Sequence, residues 1–174
     1  MNPTKRITAE TLRQLPPAKV KKLFTQLGPA KVDELQHDWS FWGRDAQFPP
    51  TDNEWNTWLI NAGRGFGKTR CGAEWVREQV KLGHKRIACV ASTNSDIERV
   101  MVKGESGFLS VCWKHDKTHK GKPMGFPEWS PTKRSLTWAN GAKVEFYSAE
   151  EPERLRGPQF SAAWCDELAA WNKD

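Results

Sequence analysis

The sequence has no long apolar run: the longest uninterrupted one is the five residues 87–91 (IACVA), against the roughly 20 needed for a helix to cross a bilayer. A membrane-spanning helix is therefore excluded. Residues 1–20 hold Thr, Glu, Gln and three prolines where a secretory leader needs a continuous apolar segment, so a secreted protein is not expected. Cysteine is scarce as well. Cys71, Cys89, Cys112 and Cys165 show neither CxxC spacing nor the density of a disulfide scaffold, which points to reduced thiols in a cytosol. Internal repeats and low-complexity tracts are missing too. What remains is a chain of 174 residues, 28% charged with a mean hydropathy of −0.74, long enough for about one globular domain with a buried core.

The net charge of +6 is unevenly spread. Residues 77–134 carry 12 basic against 6 acidic side chains, whereas residues 135–174 carry 4 against 7. The excess concentrates in residues 113–122 (WKHDKTHKGK), a segment able to meet phosphates, although such a stretch taken alone reads first as a solvated loop. Cys112, His115 and His119 have metal-like spacing, yet three ligands among lysines read as a polar loop before a zinc site.

Residues 1–46 read as a segment of short helices. One spans 8–15, with Thr8 able to cap it and Pro16 and Pro17 stopping it; a second places Val20, Leu23, Phe24 and Leu27 on one face; a third runs from Ala30 through Trp42. The turn-rich stretch 48–53 separates them from an alternation of strands and helices over 47–174. Strands are expected at 55–62, 85–91 and 160–165, helices at 68–82 and 95–102, and a hairpin at 135–138 and 143–147 around Asn140 and Gly141. This order predicts an α/β fold with a mostly parallel sheet.

The sharpest motif is Ala62, Gly63, Arg64, Gly65, Phe66, Gly67, Lys68, Thr69, which fits GxxxxGK[ST] except for alanine at its first position. Several backbone N–H groups must converge on a phosphate, and glycines let the chain fold that tightly. The following helix adds its positive end, Lys68 is placed to bridge phosphate oxygens, and the Thr69 hydroxyl is placed as a ligand of Mg²⁺. A strand ending in Asp166 and Glu167 is the second signal: Asp166 suits the water shell of Mg²⁺, and Glu167 suits polarisation of an attacking water. ATP with Mg²⁺ is the ligand pair these motifs call for.

The chain resembles the N-terminal ATPase half of the large terminase subunit of tailed bacteriophages and related gene-transfer particles. The resemblance rests on Trp39, Ser40, Phe41 and Trp42, on Gln47, Phe48, Pro49 and Pro50, on residues 58–75 (WLINAGRGFGKTRCGAEW), and on residues 153–160 (ERLRGPQF) leading to 164–171 (WCDELAAW). It implies a P-loop NTPase fold of the additional-strand, catalytic-glutamate type, in which residues 63–69 are a variant Walker A loop and Asp166 with Glu167 the Walker B pair. It further implies that Arg64 acts in cis on the γ-phosphate, that Gln47 contacts adenine, and that Arg156, with Arg154 as its rival, is offered in trans to a neighbouring subunit. The implied partners are double-stranded viral DNA, the portal protein, the terminase small subunit and further copies in a homo-oligomeric ring, a pentamer, with no membrane involved and the host cytoplasm as the location. By the same resemblance, a chain ending at Asp174 is incomplete at its C-terminus: it lacks the later ATPase strands and the nuclease, is expected to leave a gap in its sheet, and is expected to need its missing half. The competing readings are a truncated or split remnant that binds nucleotide or a partner without turnover, a helicase-like DNA translocase and, more remotely, a small-molecule kinase.

Overall fold

Capping side chains and prolines open the short N-terminal helices. In the computed structural model, which describes residues 8–51 and 54–171, the Thr8 side chain accepts the Thr11 amide and starts α1 (Ala9–Arg13), and Pro17 occupies the first position of α2 (Pro17–Leu27). The third expected helix divides in two. α3 (Pro29–Gln36) stops at His37, and α4 (Trp39–Trp42) restarts because the Asp38 carboxylate takes the Ser40 amide, a local acceptor that competes with helix continuation. These helices belong to the first of two compact units, Met1–Asn61 and Ala62–Asp174.

The strand expected at 55–62 does not form; these residues adopt no helix or strand. Leu59 is 76% exposed, so the apolar run 58–60 buries too little surface to offset the entropy of ordering it.

The second unit is built on α5 (Lys68–Leu82), which ends at Gly83 in a left-handed conformation, and on β1 (Arg86–Ala91), whose interior is fully buried. The helix expected at 95–102 begins as α6 (Asn94–Asp96) and widens into π-helical turns over Ile97–Val102. That widening brings Ile97, Met101 and Val102 to the core together. α7 (Phe108–Val111) and the strand β2 (Glu128–Ser130) carry no clear sequence signal. β3 (Ser135–Thr137) and β4 (Lys143–Ser148) form the expected hairpin, with Gly141 at φ +82° in its turn, and β5 (Ala162–Cys165) completes the described strands.

The sheet order is β2-β3-β4-β1-β5. β1 runs parallel to both β4 and β5, whereas β2, β3 and β4 pair antiparallel, so the sheet is mixed rather than mostly parallel. The reason is connection length: the links 131–134 and 138–142 are hairpin-sized, and a parallel crossover needs a dozen residues or more. Among the described strands β5 pairs with β1 alone and forms an edge. The core gathers around Phe108, whose ring meets Trp138, Phe146 and Trp164 edge-on at 6.4, 5.7 and 5.9 Å. α5 buries Ala73, Val76 and Val80 in the same cluster. It also lies so close to β5 that a Cβ at Gly72 would stand 2.0 Å from the Trp164 indole.

Candidate functional site

The glycine-rich turn leads directly into α5. Gly65 (φ +80°) and Gly67 (φ +92°, ψ +31°) both take left-handed conformations that a side chain would strain, and the Phe66 amide closes the turn on the Gly63 carbonyl at 3.4 Å. Gly67 is the N-cap of α5, so no side chain caps the helix, and its first turn holds no acidic residue. The start of this 15-residue helix therefore carries its partial positive charge with no capping side chain and no acidic residue in its first turn. The Lys68 amine folds back on the turn, donating to the carbonyls of Ala62 (3.0 Å) and Gly63 (3.3 Å). Gly63, Arg64 and Gly65 are exposed, while Phe66, Gly67, Lys68 and Thr69 are half-buried.

β5 carries the acid pair to the same place. Its register sets Cys165 beside Val90, and the Asp166 amide continues the ladder by donating to the Val90 carbonyl at 2.9 Å. The Thr69 side chain lies near enough to the Asp166 carboxyl to favour its charged form, as does the charge of Lys68. The turn and the strand end, a hundred residues apart in sequence, thus meet through Thr69, Lys68 and Asp166. Burial and the neighbouring Glu167 carboxylate push the Asp166 pKa above the usual carboxylate range, and Thr69, Lys68 and the Glu167 amide only partly offset them. Glu167 is exposed and sits at φ +47°, ψ +45°, a left-handed conformation that for a non-glycine residue is uncommon and clusters at functional sites. Beyond it the chain is pinned by the Trp171 indole donating to the Asp166 carbonyl (3.1 Å) and by the Ala170 amide donating to the Glu167 carbonyl (2.8 Å).

The other sequence candidates have partners of their own. Arg156 is exposed and pairs with Glu153 at 2.7 Å. Arg154 pairs with Glu151 at 2.8 Å, within a network in which Asn94 donates to Glu151 and accepts from Arg134. Gln47 belongs to the first unit, where it is buried and its amide oxygen accepts from the Arg44 backbone at 3.0 Å. Cys112 is buried in the core whereas His115 and His119 are exposed, and no group of three metal-ligating side chains occurs among the described residues.

Sequence reading missed a buried ionic ladder on α5. Arg70 places Nε and Nη2 on Glu74 Oε1 at 2.9 and 2.6 Å, and Arg77 Nη1 donates to Glu74 Oε2 at 3.0 Å. Arg77 Nε donates to Asp116 Oδ2 at 2.7 Å while its Nη2 donates to Oδ1, a two-point fork 39 residues apart in sequence. Burial alone would raise the Asp116 pKa, but the Arg77 hydrogen bonds and the charges of Arg77 and Lys81 prevail and hold it below the usual range. For Arg77 burial is likewise overcome by Asp116 and Glu74, and its pKa is raised. The one available signal was spacing: positions 70, 74, 77 and 81 share a helix face.

Fold and site together define an α/β protein in which the open N-terminus of a helix and an acidic strand end share one edge of a sheet. The sequence model of the family described as terminase large subunit, T4likevirus-type, N-terminal, matches residues 59–174, two-thirds of the chain, and the chain belongs to that family. Membership implies a role in packaging phage DNA. No curated protein and no solved structure matches the chain. Among the described residues no helix is long and apolar enough to cross a membrane.

Proposed function

We propose that the chain is the ATP-hydrolysing motor portion of a phage terminase large subunit, turning over ATP with Mg²⁺ to drive DNA into a procapsid through the portal. The observation that carries this reading is the proximity of Asp166, at the end of β5, to Lys68 and Thr69 at the start of α5, which gives the glycine-rich turn and the acidic strand end a single focus. The residues suit both groups. A hydroxyl and a carboxylate side by side are the hard oxygen donors Mg²⁺ prefers, and the uncapped start of α5 with the Lys68 amine suits a polyphosphate. Bound there, Mg²⁺ would neutralise charge on the β- and γ-phosphates.

The chain's own groups divide the remaining work. The Lys68 amine exchanges the Ala62 and Gly63 carbonyls for phosphate oxygens of the substrate. Glu167 orients the attacking water and takes its proton as the water oxygen bonds to the γ-phosphorus and the bond to the β–γ bridging oxygen breaks. Its exposure and its left-handed backbone leave the carboxylate open to solvent. Arg64, inside the turn, is assigned to the equatorial oxygens in cis on the resemblance, and the exposure of Arg156 suits a group presented to a neighbouring copy in a ring. Gln47 is assigned to adenine on the resemblance.

Binding is tested by thermal melting. Mg·ATP is expected to raise the melting temperature of the chain, by about 2.7 kcal/mol of added stability at a hundredfold excess over Kd, and the Lys68→Ala variant is expected to lose the shift. An equal shift in Lys68→Ala would overturn the site. For the arginines the readout is ATPase rate in an assembled motor: Arg64→Ala and Arg156→Ala are expected to slow turnover, and an unchanged rate removes that residue's role.

A further inference from the structure

The basic segment that begins at Trp113 is a folded projection of the helix that carries the phosphate-binding turn. Both of its stems are fixed. Asp116, buried, holds the Arg77 fork on its carboxylate and the Trp113 amide at 3.2 Å, and its backbone carbonyl accepts the amide of the buried Met124 at 2.8 Å. Farther out, the His119 amide donates to the Lys81 carbonyl at 3.0 Å and the His119 ring meets Glu78, so residues of α5 hold the segment at several points. The tip is a tight hairpin, with a bridge between Lys117 and Pro123, Thr118 N donating to Lys122 O at 2.8 Å, and Gly121 N to Thr118 O at 2.8 Å.

The hairpin turns its lysines outward, and its exposed His119 is paired with Glu78 of α5. Lys114, His115, Lys117, His119, Lys120 and Lys122 are exposed, and the sole acid in residues 113–122, Asp116, is turned inward and neutralised by Arg77. Residues 114–122 include no apolar side chain to anchor a protein interface. They include no arginine for two-point recognition of bases and no Trp, Tyr or Phe ring for stacking on single strands. Lysine point charges on a rigid scaffold suit a sequence-independent phosphate backbone.

From this we infer that the 114–122 hairpin is a duplex-DNA contact that tracks phosphates without reading sequence and is braced directly on α5. Arg77 lies nine residues after Lys68, about 14 Å along the helix at 1.5 Å per residue, so a force on the hairpin passes along the same rigid rod that begins at the phosphate-binding turn. That mechanical link rests on the motor reading above; the DNA contact itself does not.

The test is binding of the whole chain to labelled random-sequence duplexes over a salt series. Lys117→Ala/Lys120→Ala/Lys122→Ala is expected to flatten the slope of log K against log salt by about 2.7, at about 0.9 for each phosphate that the variant no longer neutralises, equally for two unrelated sequences. Lys19→Ala/Lys21→Ala/Lys22→Ala, which removes the same charge from exposed positions of the first unit, is expected to keep the slope. Equal flattening by both triple variants, or no flattening by the hairpin variant, would overturn the inference. So would competition by polyglutamate as strong as by duplex of equal charge, which would assign the hairpin to an acidic protein. Because the hairpin lysines are exposed, the variant's melting temperature and its response to Mg·ATP are expected to match the wild type, so loss of the ATP response in every form counts against the motor reading and leaves the hairpin result to stand by itself.

Discussion

Two aspartates of the second unit occupy opposite circumstances. Asp116 is buried and fully answered: Arg77 forks onto both of its oxygens, Lys81 stands 3.5 Å away, and its pKa is depressed. Asp166 is also withdrawn from water, but the strongest charge acting on it is the Glu167 carboxylate, and its pKa is raised. The first arrangement is finished and holds a loop to a helix. The second leaves its charge largely unanswered, as the proposed cation site requires.

The contrast can be broken or sharpened experimentally. The largest expected effect is kinetic: Glu167→Gln should keep the Mg·ATP-dependent rise in melting temperature while turnover in an assembled motor falls by about 10²- to 10⁴-fold. Wild-type turnover in that variant would place the base elsewhere. On the structural side, Arg77→Ala leaves the buried Asp116 without its fork and the buried Glu74 with Arg70 alone, and should lower stability to urea by about 3–5 kcal/mol, whereas replacing Arg77 and Asp116 together by Met and Leu should recover most of that loss. Gly72→Ala drives a methyl group into the Trp164 ring and should remove about 1–3 kcal/mol by overpacking.

The smallest effect separates the two aspartates by pH. A carboxyl whose folded pKa is raised binds its proton more tightly when folded, so Asp166 subtracts stability as pH climbs above the ordinary value of 3.8, and that loss persists at neutral pH. Asp116 has the opposite sign: it adds stability above 3.8, and the addition disappears as pH falls through its depressed range. Asp166→Asn should therefore melt slightly higher than wild type at pH 7 while losing the response to Mg²⁺, and equal melting of the two proteins from pH 4 to pH 7 would show that Asp166 is not perturbed.

Much of this was legible from residue order because the relevant signals were local. Thr8 and Pro17 start helices by capping chemistry, Gly83 ends α5, and Asn140 with Gly141 turns a hairpin, each within a few residues of its effect. The glycine-rich turn and the acid pair were readable for the same reason. The strand at 55–62 misled because three apolar residues resemble a buried strand whether or not they are buried, and Leu59 is not. The sheet's mixed direction was implicit in the short links around β3 but was outweighed by the alternation of strands and helices. The Arg77–Asp116 fork was not legible, since nothing at either position announces a partner 39 residues away.

At Gly72 the absence of a single carbon lets an indole nestle against the helix backbone. Thr69 lies one turn earlier on that helix, and Asp166 lies two residues past that indole on the strand. The clearance between the two layers therefore also sets how near Thr69 stands to Asp166, so a glycine set back from the turn fixes the spacing of the candidate site.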